Sequence, residues 1–210
     1  MKKLIIATLG IFLMINITNA QSKYTEFKVG LLKPKAAEGG FYGGIQMGRA
    51  VDRNVGIGIQ LDVYKKTYKK EETVSQGVEN GLPVTTIQTT LEQNTWMFPL
   101  FFNFQYVGGI SKGIDFKATA GLGYEFLYTK YVNFEDDKNK SYFFHGFAWH
   151  IDAGVSYQLS RASDLFGELT YHGGKPSRSE DNADGFPTRT EVDMSGIGFR
   201  IGLRIYNLGF

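Results

Sequence analysis

Three histidines, scattered carboxylates and two arginines near the C-terminus are the residues of this 210-residue chain that could do chemistry. His150 and Asp152 stand two positions apart, which puts both on one face of a β-strand as a possible base and orienter. No nucleophile accompanies them. His145 falls on the other face, among aromatic residues, and is the one candidate for catalysis at a lipid surface. Phe147 stands where a hydroxyl would be needed. Spread over different faces and strands, the three histidines make a poor metal site. The chain has no cysteine, which excludes thiol catalysis, Cys-ligated zinc, disulfides and a Cys-attached lipid. Gly56-Ile57-Gly58 and Gly196-Ile197-Gly198 lie inside strand-like segments with no helix behind them, so neither is a phosphate loop. The expectation is a protein that is not an enzyme, with no cofactor and no metal.

The elements that carry these residues are read from a period of two. From Ile114 to Tyr128 the even positions are Ile114, Phe116, Ala118, Ala120, Leu122, Tyr124, Phe126 and Tyr128, whereas the odd ones include Asp115, Lys117, Gly121, Gly123 and Glu125. Successive Cβ atoms of a strand point to opposite faces, so one face is apolar and the other carries glycine and charge. Eight such strands are expected, at 25–32, 41–51, 55–68, 95–107, 114–131, 142–159, 164–172 and 191–206. Connections after the second, fourth and sixth are short, while those after the third, fifth and seventh are longer and polar. Glu79-Asn80-Gly81 is a hairpin-turn signal between Thr/Val-rich flanks. The third and fourth strands are therefore expected to continue as a protruding ribbon. Pro99 cannot donate to a ladder, and a local bulge is expected there.

Residues 1–20 have the layout of a cleaved secretory signal peptide: Lys2 and Lys3, an apolar Leu4–Leu13 core, then Thr18-Asn19-Ala20. The remaining domain, 21–210, carries 21 basic and 21 acidic residues once Lys2 and Lys3 are removed, a balance that gives no reason for nucleic-acid binding. After the signal no apolar run is long enough for a spanning helix. Aromatic residues bracket aliphatic middles on neighbouring strands: Phe116 at one end and Tyr124 and Tyr128 at the other on the fifth, Trp149 and Tyr157 on the sixth, with Trp96 and Tyr106 at the ends of the fourth. Rings sorted to both ends of a wall are a bilayer signature, since a soluble core has no reason to sort them. The competing fold is a soluble lipocalin-like barrel, in which the apolar face would point inward.

The signal segment, the eight alternating strands, Trp96-Met97-Phe98-Pro99-Leu100 leading into an aromatic strand, and the terminal Phe210 carry a family resemblance. The chain resembles the small eight-stranded outer-membrane barrels of the OmpA/OmpX type, usually labelled outer-membrane protein β-barrel domain. That resemblance implies an all-β, eight-stranded, antiparallel up-and-down transmembrane β-barrel in the bacterial outer membrane. It also implies contact with outer-membrane lipids and insertion by the barrel assembly machinery, which reads a terminal aromatic strand. One departure is visible: the outward set Ile197 to Ile205 is odd-numbered, whereas Tyr206, Leu208 and Phe210 are even. A bulge or turn is required near Tyr206.

Eight strands leave an interior just filled by side chains, so charges there must pair. Glu26, Lys28, Asp62, Lys117, Glu125, Asp152, Glu168, Arg200 and Arg204 are expected to face that interior as a structural ion network, joined by His150 and His172. Arg200 and Arg204 should meet Glu168, Asp152 and Glu26, because the last strand lies between the seventh and the first on closure. Such a network implies a plugged, non-enzymatic envelope barrel, with a gated or porin-like narrow ion path as the alternative and outer-leaflet lipid modification less favoured. The segments 69–94 and 173–190 are not needed for spanning and could meet a protein or surface partner. The strand-like stretch Thr85–Leu91 within the first could add to a partner's sheet.

Overall fold

Alternation of apolar and polar residues over ten or more positions can be satisfied only by a sheet with two different environments. The computed structural model, which describes residues 23–79, 82–134, 138–181 and 187–208, is all strand and turn. Its strands are β1 (Lys23–Pro34), β2 (Gly40–Ala50), β3 (Val55–Glu79), β4 (Leu82–Ser111), β5 (Ile114–Asn133), β6 (Lys138–Ser160), β7 (Ser163–Gly174), β8 (Ser177–Asp181), β9 (Pro187–Glu191) and β10 (Gly196–Tyr206). Antiparallel pairing runs β1 through β7 in order, and β10 then joins β7 to β1. Eight strands thus form a closed ring, which removes every open edge from the wall.

The register fixes the stagger. A path of directly paired residues from Leu31 through Phe41, Lys65, Trp96 and Tyr128 reaches β6 at Phe143. The path in the other direction, through Phe199 and Leu169, reaches β6 at Ala153, ten residues away. Such a stagger requires strands tilted by roughly 35–45° to the barrel axis.

The two faces separate cleanly. Leu31, Ile197 and Leu122 are 66%, 65% and 62% exposed, whereas Glu26, Asp62 and Arg200 are 0% exposed. The wall is apolar outside and charged inside, the reverse of a lipocalin. An exterior of this kind around the whole ring has no counterpart on a water-soluble monomer and needs a lipid solvent.

One end of the ring is closed by short connections at 51–54, 112–113 and 161–162. Gly113 has φ 79°, a left-handed conformation that suits glycine in the β4–β5 turn. At the other end β3 and β4 continue as a two-stranded ribbon paired out to Glu79 and Leu82, with bulges at Lys70/Glu71 and Thr73/Ser75. The Asn80-Gly81 turn itself lies outside the described residues, as do residues 1–20, where a signal peptide is expected, and Phe210.

Three expectations change. No bulge forms at Pro99: the β3–β4 register is the same on both sides of it, and only the pairing toward β3 is interrupted. Pro99 stays paired with Glu125 on β5, so the missing N–H costs contact on one side alone. The stretch 173–190 is not simply a loop. It contains the β8–β9 hairpin, which leaves the ring, pairs with β6 at His145 and Ser177, and lays Arg178 4.4 Å and 5.2 Å from the centres of the Tyr142 and Phe144 rings. The last strand starts at Gly196, not Glu191. Residues 192–195 form a strap between its neighbours: Lys35 N and Ala36 N donate to the Ser195 and Asp193 carbonyls at 2.9 Å, and Met194 N donates to the Gly174 carbonyl at 3.0 Å. The phase change at the C-terminus is a turn, with Asn207 at φ 61°.

Candidate functional site

Each strand delivers its inward residues to a narrow lumen, and their identities divide it into levels. Toward the turn end lies an ionic cluster. Glu26, Asp62, Asp152 and Glu168 face Lys28, Lys117, Arg200 and Arg204, so four carboxylates meet four cations, all buried. Glu26 receives Lys117 Nζ at 2.8 Å on one oxygen and Arg204 Nε at 2.9 Å on the other. Lys117 bridges onward to Glu168 at 2.9 Å, and Lys28 lies 3.3 Å from both Glu26 and Glu168. Arg200 joins three carboxylates: Asp152 at 2.8 Å, Glu168 at 2.9 Å and Asp62 at 3.1 Å. A buried ion is tolerated only when opposite charge and hydrogen bonds replace its water, and this arrangement supplies both.

Neutral donors and acceptors complete the cluster. Lys28 Nζ donates to Gln46 and Gln60 at 3.0 and 3.1 Å, and Tyr42 OH donates to Asp62 at 2.7 Å. Thr170 donates to Asp152, while Asn103 donates to Gln60 at 2.8 Å. Lys117 Nζ also lies 3.6 Å from the centre of the Phe166 ring, and Arg204 stacks 4.6 Å from Tyr24. Close approach is required here: a Cβ on Gly121 would run into Asn103 and His150.

Glu125 belongs elsewhere. Its partner is His172 Nε2 at 2.7 Å, and none of the four cluster cations contacts it. His150 bridges Asn103 at 2.9 Å and Asp152 at 3.1 Å. His150 and His172 are direct cross-strand partners on β6 and β7, and both are buried in the lumen. Among the described residues no group of three or more His, Cys, Asp or Glu could hold a metal. His145 lies outside, its Nδ1 hydrogen-bonded to Tyr124 OH at 2.5 Å. Trp96, Tyr106, Tyr124, Tyr128, Trp149 and Tyr157 all occupy the outer face, with Trp149 beside Leu122 and over Gly173.

Sequence reasoning missed the level nearer the ribbon. There Leu32, Tyr42, Tyr64, Met97, Leu127, Phe144 and Met194 pack into an apolar cluster inside the ring. The signal was present for six of them, which fall on the inward parity of their strands at the ribbon-side ends; Met194 comes from the 192–195 strap. A 260 Å³ cavity opens above this cluster, lined by Leu127, Phe144, Tyr142 and Met194 among others, and a 320 Å³ cavity at the turn end is floored by Arg204, Tyr24 and Tyr206.

The strap over the ribbon-side mouth carries Asp193, whose carboxylate accepts the Ser195 N–H at 3.0 Å and faces Lys35 at 3.8 Å. Hydrogen bonding from Ser195 holds its pKa below the usual carboxylate value.

No protein-family model matches the chain, and no curated protein sequence matches it. Solved structures do. A major outer membrane protein from Thermus thermophilus superposes with a TM-score of 0.59 at 13% identity, covering 90% of this chain and 100% of its own. Neisserial surface protein A superposes with a TM-score of 0.53 at 12% identity, covering 88% and 96%. The outer membrane protein OprG from Pseudomonas aeruginosa gives 0.52 at 13% identity, covering 89% and 96%. With its apolar exterior and ionic interior, the chain therefore has the fold of the small bacterial outer-membrane β-barrels.

Proposed function

We propose that the chain is a closed, non-enzymatic envelope barrel, anchored in outer-membrane lipid, that holds the β3–β4 ribbon outside the cell. A plugged lumen is favoured over a pore by one observation above the rest: four carboxylates and four cations neutralise one another in direct contact across the lumen. A conducting path lined by the same groups would need water between them. The apolar cluster above supplies a second seal, because ions do not cross a packed Leu/Met/Phe layer. In this reading export uses a cleaved signal at 1–20, and insertion uses the barrel assembly machinery. The ribbon and the 173–190 segment are the surfaces for a protein or cell-surface partner.

Purified protein in planar bilayers tests the plug. Silence or brief, rare openings are expected; steady large conductance would establish the porin-like alternative. Removal of residues 72–86 tests the ribbon, since partner or surface binding that survives the deletion would rule out its role.

A further inference from the structure

The ribbon-side mouth of the ring holds a cavity that closing the lumen does not require. Its floor belongs to the apolar layer, where Met97, Leu127 and Phe144 are successive cross-strand partners on β4, β5 and β6. One row toward the ribbon, the same inward parity brings Thr95, Thr129 and Tyr142 together, and Gln93 pairs with Tyr131 beyond them. The wall thus changes from apolar to hydrogen-bonding within two rows. Ala36, Val192 and Met194 cover the other side of the cavity. Backbone hydrogen bonds hold that cover in place: Ala36 N donates to the Asp193 carbonyl at 2.9 Å, and Val192 N to the Pro176 carbonyl at 3.0 Å.

The polar wall has capacity that the fold leaves unused. Thr95 lines the cavity and is 6% exposed, yet among the described residues its hydroxyl has no hydrogen-bond partner. A hydroxyl withdrawn from bulk water is normally matched, and the side of Thr95 left unmatched is the one at the cavity. The side chains of Gln93 and Thr129 next to it likewise make no hydrogen bond among the described residues. The rings beside them are held still. Tyr142 and Phe144 lie 6.5 Å apart, and the Arg178 guanidinium stacks on both from the β8 side. None of the described residues lining the cavity is charged. Its 260 Å³ is near the lower end of ligand sites, which run from about 300 Å³ upward.

We propose that this cavity binds a small neutral aromatic molecule, of one or two rings, that carries a hydrogen-bonding edge. The ring meets Tyr142, Phe144 and the apolar cover, and the polar edge turns toward Thr95, Thr129 and Gln93. Each alternative fails on one wall. An ion would be buried with no opposite charge beside it, and a wholly apolar molecule would leave the Thr95 hydroxyl unmatched. A sugar needs partners around its whole rim, whereas the floor and cover here are apolar. Because the floor is closed, the cavity is a blind receptor site and not a section of a pore. Its opening toward the outside of the cell rests on the orientation in the proposed function; the binding itself does not.

The test uses the full mature protein folded in neutral detergent, with empty micelles as the blank and binding read by saturation-transfer NMR of the ligand. The probe is para-hydroxybenzamide. Para-xylene offers a ring without hydrogen-bonding groups, and para-hydroxybenzoate adds a negative charge. The amide is expected to saturate beyond the micelle blank, and the benzoate to bind far more weakly. T95V should weaken the amide about fivefold, the size of one hydrogen bond, and leave para-xylene unchanged. A37F should fill the cavity and abolish binding of both, whereas A50F, in the cavity at the turn end, should bind as the parent does. Absence of saturable amide binding, equal binding of the benzoate, or displacement of the amide by methyl glucoside would each overturn the proposal. So would an unchanged amide affinity in T95V, or a loss there that para-xylene shares. The heat-modifiable gel band of each variant separates lost binding from lost folding. Protein that stays folded and monomeric without any detergent would instead overturn the lipid-facing wall of the proposed function, and the same titration in plain buffer would still decide the ligand.

Discussion

The two halves of the lumen solve one problem by opposite means. Toward the turn end, every strand of the ring contributes to a cluster of ions and amides in which each charge depends on several others. Toward the ribbon end, Leu32, Met97, Leu127 and Phe144 fill the same cross-section with no charge at all. Both exclude water. The difference is in how they fail: removing an ion leaves its partners buried and unpaired, whereas removing an apolar side chain leaves a void that neighbours partly refill.

That contrast can be broken most sharply at Arg200, which holds Asp62, Asp152 and Glu168 together. Arg200→Met should lower stability by about 3–5 kcal/mol, read by urea unfolding in detergent, because three carboxylates lose their shared cation. At the apolar level Leu127→Ala should cost about 2–3 kcal/mol in the same assay, the lower part of the range for core truncations, since its surroundings border a cavity. A loss at Leu127 equal to or larger than that at Arg200 would erase the distinction between the two halves.

Restoring neutrality sharpens it. Adding Asp152→Leu to Arg200→Met should recover about 1–2 kcal/mol of the single variant's loss, a coupling that a double-mutant cycle measures directly. Additive losses would mean that the two side chains do not act as a pair. Outside the lumen a smaller effect is expected at the C-terminal turn. Asn207→Val should cost about 1–2 kcal/mol, because a β-branched residue resists the left-handed φ of 61°.

The smallest effect concerns the strap. A carboxyl whose pKa is lowered in the folded state contributes stability above its unfolded value, and that contribution is lost as pH falls through the folded value. Protection of the Lys35 and Ala36 amides, taken relative to their intrinsic exchange rates at each pH, should therefore fall selectively in acid, and Asp193→Asn should remove that selective loss. Exchange that responds to acid identically in the variant would assign the effect elsewhere.

Legibility followed the physics of each segment. Strands with one face in lipid carry a period of two strong enough to read, so the wall residues from Val55 to Leu61 or from Phe116 to Leu122 show their orientation unaided. The β8–β9 hairpin was not legible, because Ser177–Asp181 and Pro187–Glu191 have no apolar face to mark a register. Pro99 misled for a related reason. Composition shows that a donor is missing, but not which neighbouring strand would have received it.

Among the lumen residues, parity alone identified those that face inward. Partnership was another matter. Glu125 looked equivalent to Glu168 in sequence, yet the stagger of the ring sets it opposite His172 and out of reach of the lysines.

The alternating pattern by itself determined that this chain forms strands with one apolar and one polar face, since successive side chains of a strand have only two directions to point, and the sorting of aromatic rings to both ends turned the apolar face toward lipid. Which charges meet, where the apolar layer sits, and how the 192–195 strap crosses the mouth were decided only in three dimensions. Those contacts join residues as far apart as Glu26 and Arg204, and their pairing depends on the shear of the closed ring, a quantity that no single strand encodes.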